Sequence, residues 1–195
     1  MGDLTNAQGD DAPLATSKRH DAAADAMAQL PEGQGDTLVN AAVTINKDVA
    51  TVYASFRDLA NWPRFMENVV RIEVVDDSRS HWVVKAPGGT TVQWDARITE
   101  EQPERSIAWT SEDGADVANS GRVEFRDAGA RGTVVTLTIL YDPPGGLIGK
   151  VVAKMFQREP KIQARRDLTR FKQLMETGEI ATPAMNPKQF EEMGL

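Results

Sequence analysis

From residue 37 onward the chain alternates apolar and polar positions with a period of two, first at Val39, Ala41, Val43 and Ile45. That period puts every second side chain on one face, so the run reads as a half-buried β-strand. Six more runs follow, at residues 69–75, 82–86, 91–99, 106–111, 121–125 and 133–141. Turn chemistry separates them: Asp76-Asp77-Ser78, Gly88-Gly89, Gln102-Pro103-Glu104, Asp113-Gly114 and Ala128-Gly129-Ala130. Connections this short suit antiparallel hairpins, because parallel neighbours need crossovers of about a dozen residues or more. Between the first two strands the period changes. Val49, Val52, Tyr53 and Phe56 recur at helical spacing behind Asn46, the expected cap, with Asp48 in the first turn. Asn61-Trp62-Pro63 starts another helical turn, with the proline where no donor is needed.

After the last strand the pattern is helical. Leu147, Val151 and Met155 share one stripe, beside Ile148, Val152 and Phe156. Pro160 interrupts this segment, since a helix-interior proline loses a hydrogen bond and clashes with the preceding turn. A second helix then carries Ala164, Leu168, Phe171 and Met175, and Gly178 is its natural stop. The expected fold is α+β: a seven-stranded curved antiparallel sheet around a long C-terminal helix. Alternation points Val92, Trp94, Ala96 and Ile98 inward, together with Trp82, Val84 and Ala86 and with Val135, Leu137, Ile139 and Tyr141. Large aromatics mixed with small residues on that face suit either a solid core or a cavity under the helix.

Composition adds limits. The 195 residues suffice for one domain with tails, and 41% hydrophobic content is ordinary for a globular chain. The absence of cysteine removes disulfides, thiolate nucleophiles and thiolate metal sites together, and fits a reducing compartment. Residues 1–36 hold seven acids against two bases and few large apolar groups, so they are expected to form a mobile acidic arm. Residues 37–178 are the expected folded domain, and 179–195 a loose tail. No signal peptide or membrane span is read in the sequence, which makes the cytoplasm the expected address. Net charge is −7, yet residues 145–178 carry eight bases against three acids. One basic helical segment on an acidic protein is a solvated face rather than a nucleic-acid surface.

Several stretches together resemble a known family. Residues 61–69 read NWPRFMENV, Gly88-Gly89-Thr90 precedes Trp94-Asp95, and Tyr141-Asp142-Pro143-Pro144-Gly145-Gly146 ends the last strand. Asp167-Leu168 with Arg170-Phe171-Lys172 follows in the terminal helix. Over residues 37–178 the chain resembles the polyketide cyclase/dehydrase and lipid-transport families of the START-like (SRPBCC-type) superfamily, and coenzyme Q-binding members look similar over the same region. The resemblance implies the helix-grip fold and an internal apolar cavity sealed by the terminal helix. It also implies a quinone, lipid or polyketide-like ligand, with catalysis in a minority of relatives.

The residues expected to line that cavity are Trp82, Val84, Trp94, Ala96, Trp109, Phe125, Leu137, Ile139, Tyr141, Val152, Met155 and Phe156, with Trp62 and Phe65 at its mouth. No catalytic residue, metal site or cofactor is expected. His20 and His81, the two histidines, have no carboxylate at ligand spacing, and no nucleophile elbow accompanies them. Asp95 is sent outward by alternation with Gln93 and Arg97, which suits a cross-strand contact. Asn119 and Ser120 suit turn chemistry or a polar contact to a ligand, and Tyr141 a bond to a ligand or to a neighbouring carbonyl. The Asp142–Gly146 hinge suits a gate made of residues 147–156, whose Lys150 and Lys154 allow at most transient membrane contact. The leading expectation is a non-catalytic carrier of a small hydrophobic molecule. The alternatives are a cyclase or dehydratase acting on a polyketide-like substrate, and a protein-interaction module using the acidic arm and basic helix. The sequence leaves the oligomeric state open.

Overall fold

The computed structural model describes residues 37–86, 89–142 and 160–180. The arm 1–36, Gly88, the hinge residues 143–146, the gate segment 147–156 and most of the tail lie outside the described residues. All seven expected strands are present: β1 (Thr37–Ile45), β2 (Val69–Val74), β3 (Arg79–Lys85), β4 (Thr91–Gln102), β5 (Ser106–Ser111), β6 (Asn119–Asp127) and β7 (Thr133–Tyr141). They form one antiparallel sheet in the order β1-β7-β6-β5-β4-β3-β2. Every neighbour except the β1–β7 pair is also a neighbour in sequence, as short hairpin connections dictate.

The sheet curls. Register shifts between Val69 and Arg71 and between Ile98 and Glu100 mark bulges, which raise the local twist and bend the strand. The concave face collects the apolar half of each alternating pattern, and helix α3 (Pro160–Thr177) crosses it. Ala164, Leu168 and Phe171 are buried there and Met175 half-buried, as the helical spacing requires. Gly178, at φ +79°, ends the helix by donating its N–H to the Leu174 carbonyl at 2.9 Å.

Two short helices close one end of the curl: α1 (Val49–Arg57) and α2 (Trp62–Phe65). The cap of α1 is Asp48 rather than the expected Asn46. One carboxylate oxygen of Asp48 accepts the Thr51 N–H at 2.8 Å and the other its hydroxyl at 2.7 Å, so a single acid satisfies two donors. Asn46 is drawn elsewhere, its N–H donating to Glu176 on α3 at 2.7 Å. Lys172 tightens the same joint, with Nζ 2.5 Å from the Thr44 carbonyl and 2.8 Å from Glu176. At the other end of α1, Tyr53 and Arg57 both bond Glu101 on β4, and burial with that carboxylate pushes the Tyr53 phenol up to about 12.

Asp95 is outward, as alternation requires. It faces its register partner His81, whose Nδ1 lies 2.7 Å from Asp95 Oδ1. This corrects the expectation that His81 has no carboxylate company: the partner is fourteen residues away in sequence and adjacent only across the strands. The Asp95 side chain is 61% exposed, so water screens the pair. Asp95→Asn is expected to cost under about 1 kcal/mol in chemical denaturation, and a loss several times larger would overturn the reading of a surface contact.

Candidate functional site

All four tryptophans of the chain border one cavity of about 180 Å³ between the concave face and α3. Strand register brings three of them together. Trp82 and Trp94 are direct partners on β3 and β4, their rings nearly parallel at 8° with centroids 6.0 Å apart. Trp109 sits on β5 opposite Gly121 of β6. Trp62 comes from α2, meeting Trp82 edge-on at 5.2 Å, and its indole N–H is bonded to the Phe56 carbonyl at 2.7 Å. Trp82 likewise donates to Ser80 Oγ at 2.9 Å. With their N–H groups committed, these two indoles offer the cavity chiefly flat apolar surface.

Gly121 is needed for space. A Cβ there would lie 2.2 Å from Trp109 Cζ2, inside the indole itself. Gly121→Ala is therefore expected to displace Trp109, lowering stability by about 1–3 kcal/mol and changing the near-ultraviolet circular dichroism. An unchanged spectrum and stability would show that the ring has room to spare.

Of the expected lining residues, Trp82, Val84, Trp94, Trp109, Leu137, Ile139 and Tyr141 border the cavity, and Trp62 does as well. Three others sit elsewhere. Ala96 faces a smaller adjoining recess of about 50 Å³ with Phe56, Ser80 and Ile98, farther along β4 toward α1. Phe125 is buried against Tyr53 and Phe56, each with ring centroids 5.6 Å away, since it faces α1 rather than α3. Phe65 is not at a mouth but in the core, 4.8 Å from the Phe171 ring, because the short α2 turns it down onto α3. Val152, Met155 and Phe156 lie outside the described residues.

The sequence reading missed Val39, Met66, Asn68, Val69, Val117, Gln163, Ala164 and Asp167. Most come from loops or from the helix, where strand alternation carries no information. Asp167 matters most. The inward strand faces hold almost no acid, but α3 supplies one, 6% exposed and on the cavity wall. Its Oδ1 accepts from Gln163 Nε2 at 3.0 Å and, more weakly, from the Glu67 N–H at 3.4 Å. Burial pushes its pKa up to about 6, against the opposing pull of these hydrogen bonds and of Arg170. Asn119 combines both expected roles: its amide donates to the Val117 carbonyl at 3.0 Å, as turn chemistry requires, and it borders the cavity. Burial also raises the pKa of the Tyr141 phenol, opposed by a hydrogen bond with the Thr37 side chain.

A larger groove, of about 990 Å³, lies outside the sheet between Asn46–Ala50, Pro103–Arg105 and Phe125–Gly132. It is open to solvent and lined by many charged side chains, so it encloses nothing. Among the described residues there is no cluster of three metal-ligating side chains, and no helix is long and apolar enough to cross a membrane.

A curled antiparallel sheet gripping a C-terminal helix over an apolar, tryptophan-walled cavity defines a helix-grip domain. Residues 45–169 match the polyketide cyclase / dehydrase and lipid transport family, and the chain belongs to that family. It is 32% identical, over 138 residues, to an uncharacterized 17.2 kDa protein of Streptomyces lincolnensis, covering 71% of this chain and 89% of the relative. A crystal structure from Deinococcus radiodurans matches with a TM-score of 0.59 and 43% identity, over 73% of this chain and 99% of that one. The Zhui aromatase/cyclase from a Streptomyces matches with a TM-score of 0.57, over 74% of this chain and 99% of that one. At 16% identity that last likeness is one of fold alone.

Proposed function

We propose that the protein binds one compact aromatic or similarly apolar molecule in the four-tryptophan cavity. The observation that carries this reading is the convergence of Trp62, Trp82, Trp94 and Trp109 on a single, partly open apolar space. A chain with four tryptophans that needed only a packed core would bury them against one another without leaving that space. Size refines the ligand class. An engineered apolar cavity of about 150 Å³ holds benzene, and drug-sized ligands occupy roughly 300–1,000 Å³. The cavity here is about 180 Å³, which supports a substituted single ring over a whole lipid, a polyprenyl quinone or a long polyketide. Removal of apolar area from water, at roughly 25 cal/mol per Å², supplies the drive, and family membership supports a hydrophobic ligand.

Titration with toluene tests the reading. Saturable one-to-one quenching of tryptophan emission is expected, with a rise in Tm; ligand at ten times Kd adds about 1.4 kcal/mol of stability. Unchanged emission and Tm up to the solubility limit would sink it.

A second reading, a cyclase or dehydratase, is favoured by one observation: an acid with a raised pKa on the cavity wall. A carboxyl that titrates near 6 exchanges protons readily at neutral pH. Loss of water from an aromatic β-hydroxyketone, abolished by Asp167→Asn, would support it, and no turnover would leave the carrier role alone.

A further inference from the structure

We propose that Asp167 is the polar anchor of the cavity and selects aromatic ligands that carry a hydroxyl group, its Oδ2 accepting the hydrogen bond of a phenol or enol. This rests on the reading of the cavity as a ligand site, and it adds which end of the ligand is recognised and how.

The geometry leaves Oδ2 available. Both protein donors to this carboxyl, Gln163 Nε2 and the Glu67 N–H, go to Oδ1. Among the described residues no donor serves Oδ2, and that oxygen is not sealed away from open space. The residue as a whole is 6% exposed and borders the cavity, so that oxygen is best placed to meet what the cavity holds. Among the described residues no cation forms an ion pair with it, and Arg170 acts on it only through its field. Arg166 and Arg170, on its own helix, instead point to Glu67, at 3.8 and 3.6 Å. From the segment between α2 and β2 the facing groups are Glu67, which disfavours a second negative charge, and Asn68. From the sheet they are Asn119, whose amide is committed to Val117, and Tyr141, engaged with Thr37. A buried carboxylate with one oxygen unserved seeks a donor, and a hydrogen bond to a charged group is about twice as strong as a neutral one.

The same carboxyl changes what it selects with pH. Above about 6 it is ionised and accepts a hydroxyl; below, it carries a proton and donates to a carbonyl instead. The other lining groups are indoles, aliphatic side chains, the uncharged amides of Asn68, Asn119 and Gln163, and the Tyr141 phenol, which burial raises further from this range. His81 projects from the opposite face of the sheet.

Full-length protein titrated with p-cresol and with toluene, followed by tryptophan emission at pH 7.5 and pH 5, tests the proposal. A phenol titrates near 10, so the probe itself stays neutral throughout. In the wild-type protein, p-cresol binding is expected to weaken by up to about tenfold from pH 7.5 to pH 5, the fall in the ionised fraction, while toluene binding stays within about twofold. Asp167→Asn and Asp167→Leu are expected to weaken p-cresol at pH 7.5 by about tenfold or more, to remove its pH dependence, and to leave toluene bound. Equal effects on the two probes, or a pH-independent p-cresol affinity in the wild-type protein, would overturn the anchor while leaving the cavity as a ligand site. The wild-type comparison needs no variant to fold. If neither probe binds at either pH, the cavity reading itself falls, and the anchor with it.

Discussion

At pH 7.5, Asp167→Asn is expected to stabilise the folded protein by about 3 kcal/mol relative to its effect at low pH, and near pH 4 the gain is expected to shrink below about 1 kcal/mol. Asp167 titrates at about 6 in the folded state, against an ordinary 3.8. Between those values the folded protein still holds a proton that the unfolded chain has released. Stability therefore falls as pH rises through roughly 4 to 6, and the loss persists above that window. Two pKa units correspond to about 3 kcal/mol, and only 6% of the residue reaches solvent to screen the charge. Asparagine cannot ionise and keeps an oxygen for Gln163 and the Glu67 N–H. Urea denaturation of both proteins at the two pH values checks the expectation. A destabilised Asn variant at pH 7.5 would mean that the carboxylate is held by attraction to Arg170 more strongly than burial opposes it. Against a typical total of about 5–15 kcal/mol, a penalty of this size is a large one to keep without a use, which fits an acid retained for a ligand.

Phe171→Ala is expected to be the most damaging single truncation among the described residues, costing about 3–5 kcal/mol. Phe171 is 0% exposed and lies where three helices meet. Its ring meets Phe56 of α1 edge-on at 5.5 Å and Phe65 of α2 at 4.8 Å, and Phe56 in turn packs on Trp62 at 4.6 Å. Removing the ring leaves a void that α1 and α2 cannot close without shifting Trp62, so the cavity wall should loosen together with the fold. For a protein of this size the thermal midpoint should drop by roughly 6–20 °C. A drop of only a degree or two would mean that α3 is held mainly by its other contacts, such as the Lys172 and Glu176 joint to β1.

Alternation alone determined the inner set of each strand. Trp82, Trp94, Leu137 and Ile139 face inward because side chains reverse every residue and water rejects the apolar half. The same rule sent Asp95 outward, and helical spacing picked Ala164, Leu168 and Phe171 before any contact was known. Hairpin-length connections were enough to expect an antiparallel sheet, and the turn after Trp62 with the motifs around it carried the family. Tertiary structure decided which inner residues share one space. Ala96 and Trp94 lie two residues apart on one face, yet that step of about 7 Å along β4 carries Ala96 into a different recess. Phe65 and Phe125 obey their patterns and still pack away from the cavity, because which helix covers a given stretch of sheet is not written in strand periodicity. The pairing of His81 with Asp95 depends on register between strands. Asp167 was hidden for the same reason: in sequence it is one acid on a basic helix, and it becomes a cavity acid only when α3 lies across the curl and burial raises the cost of its charge.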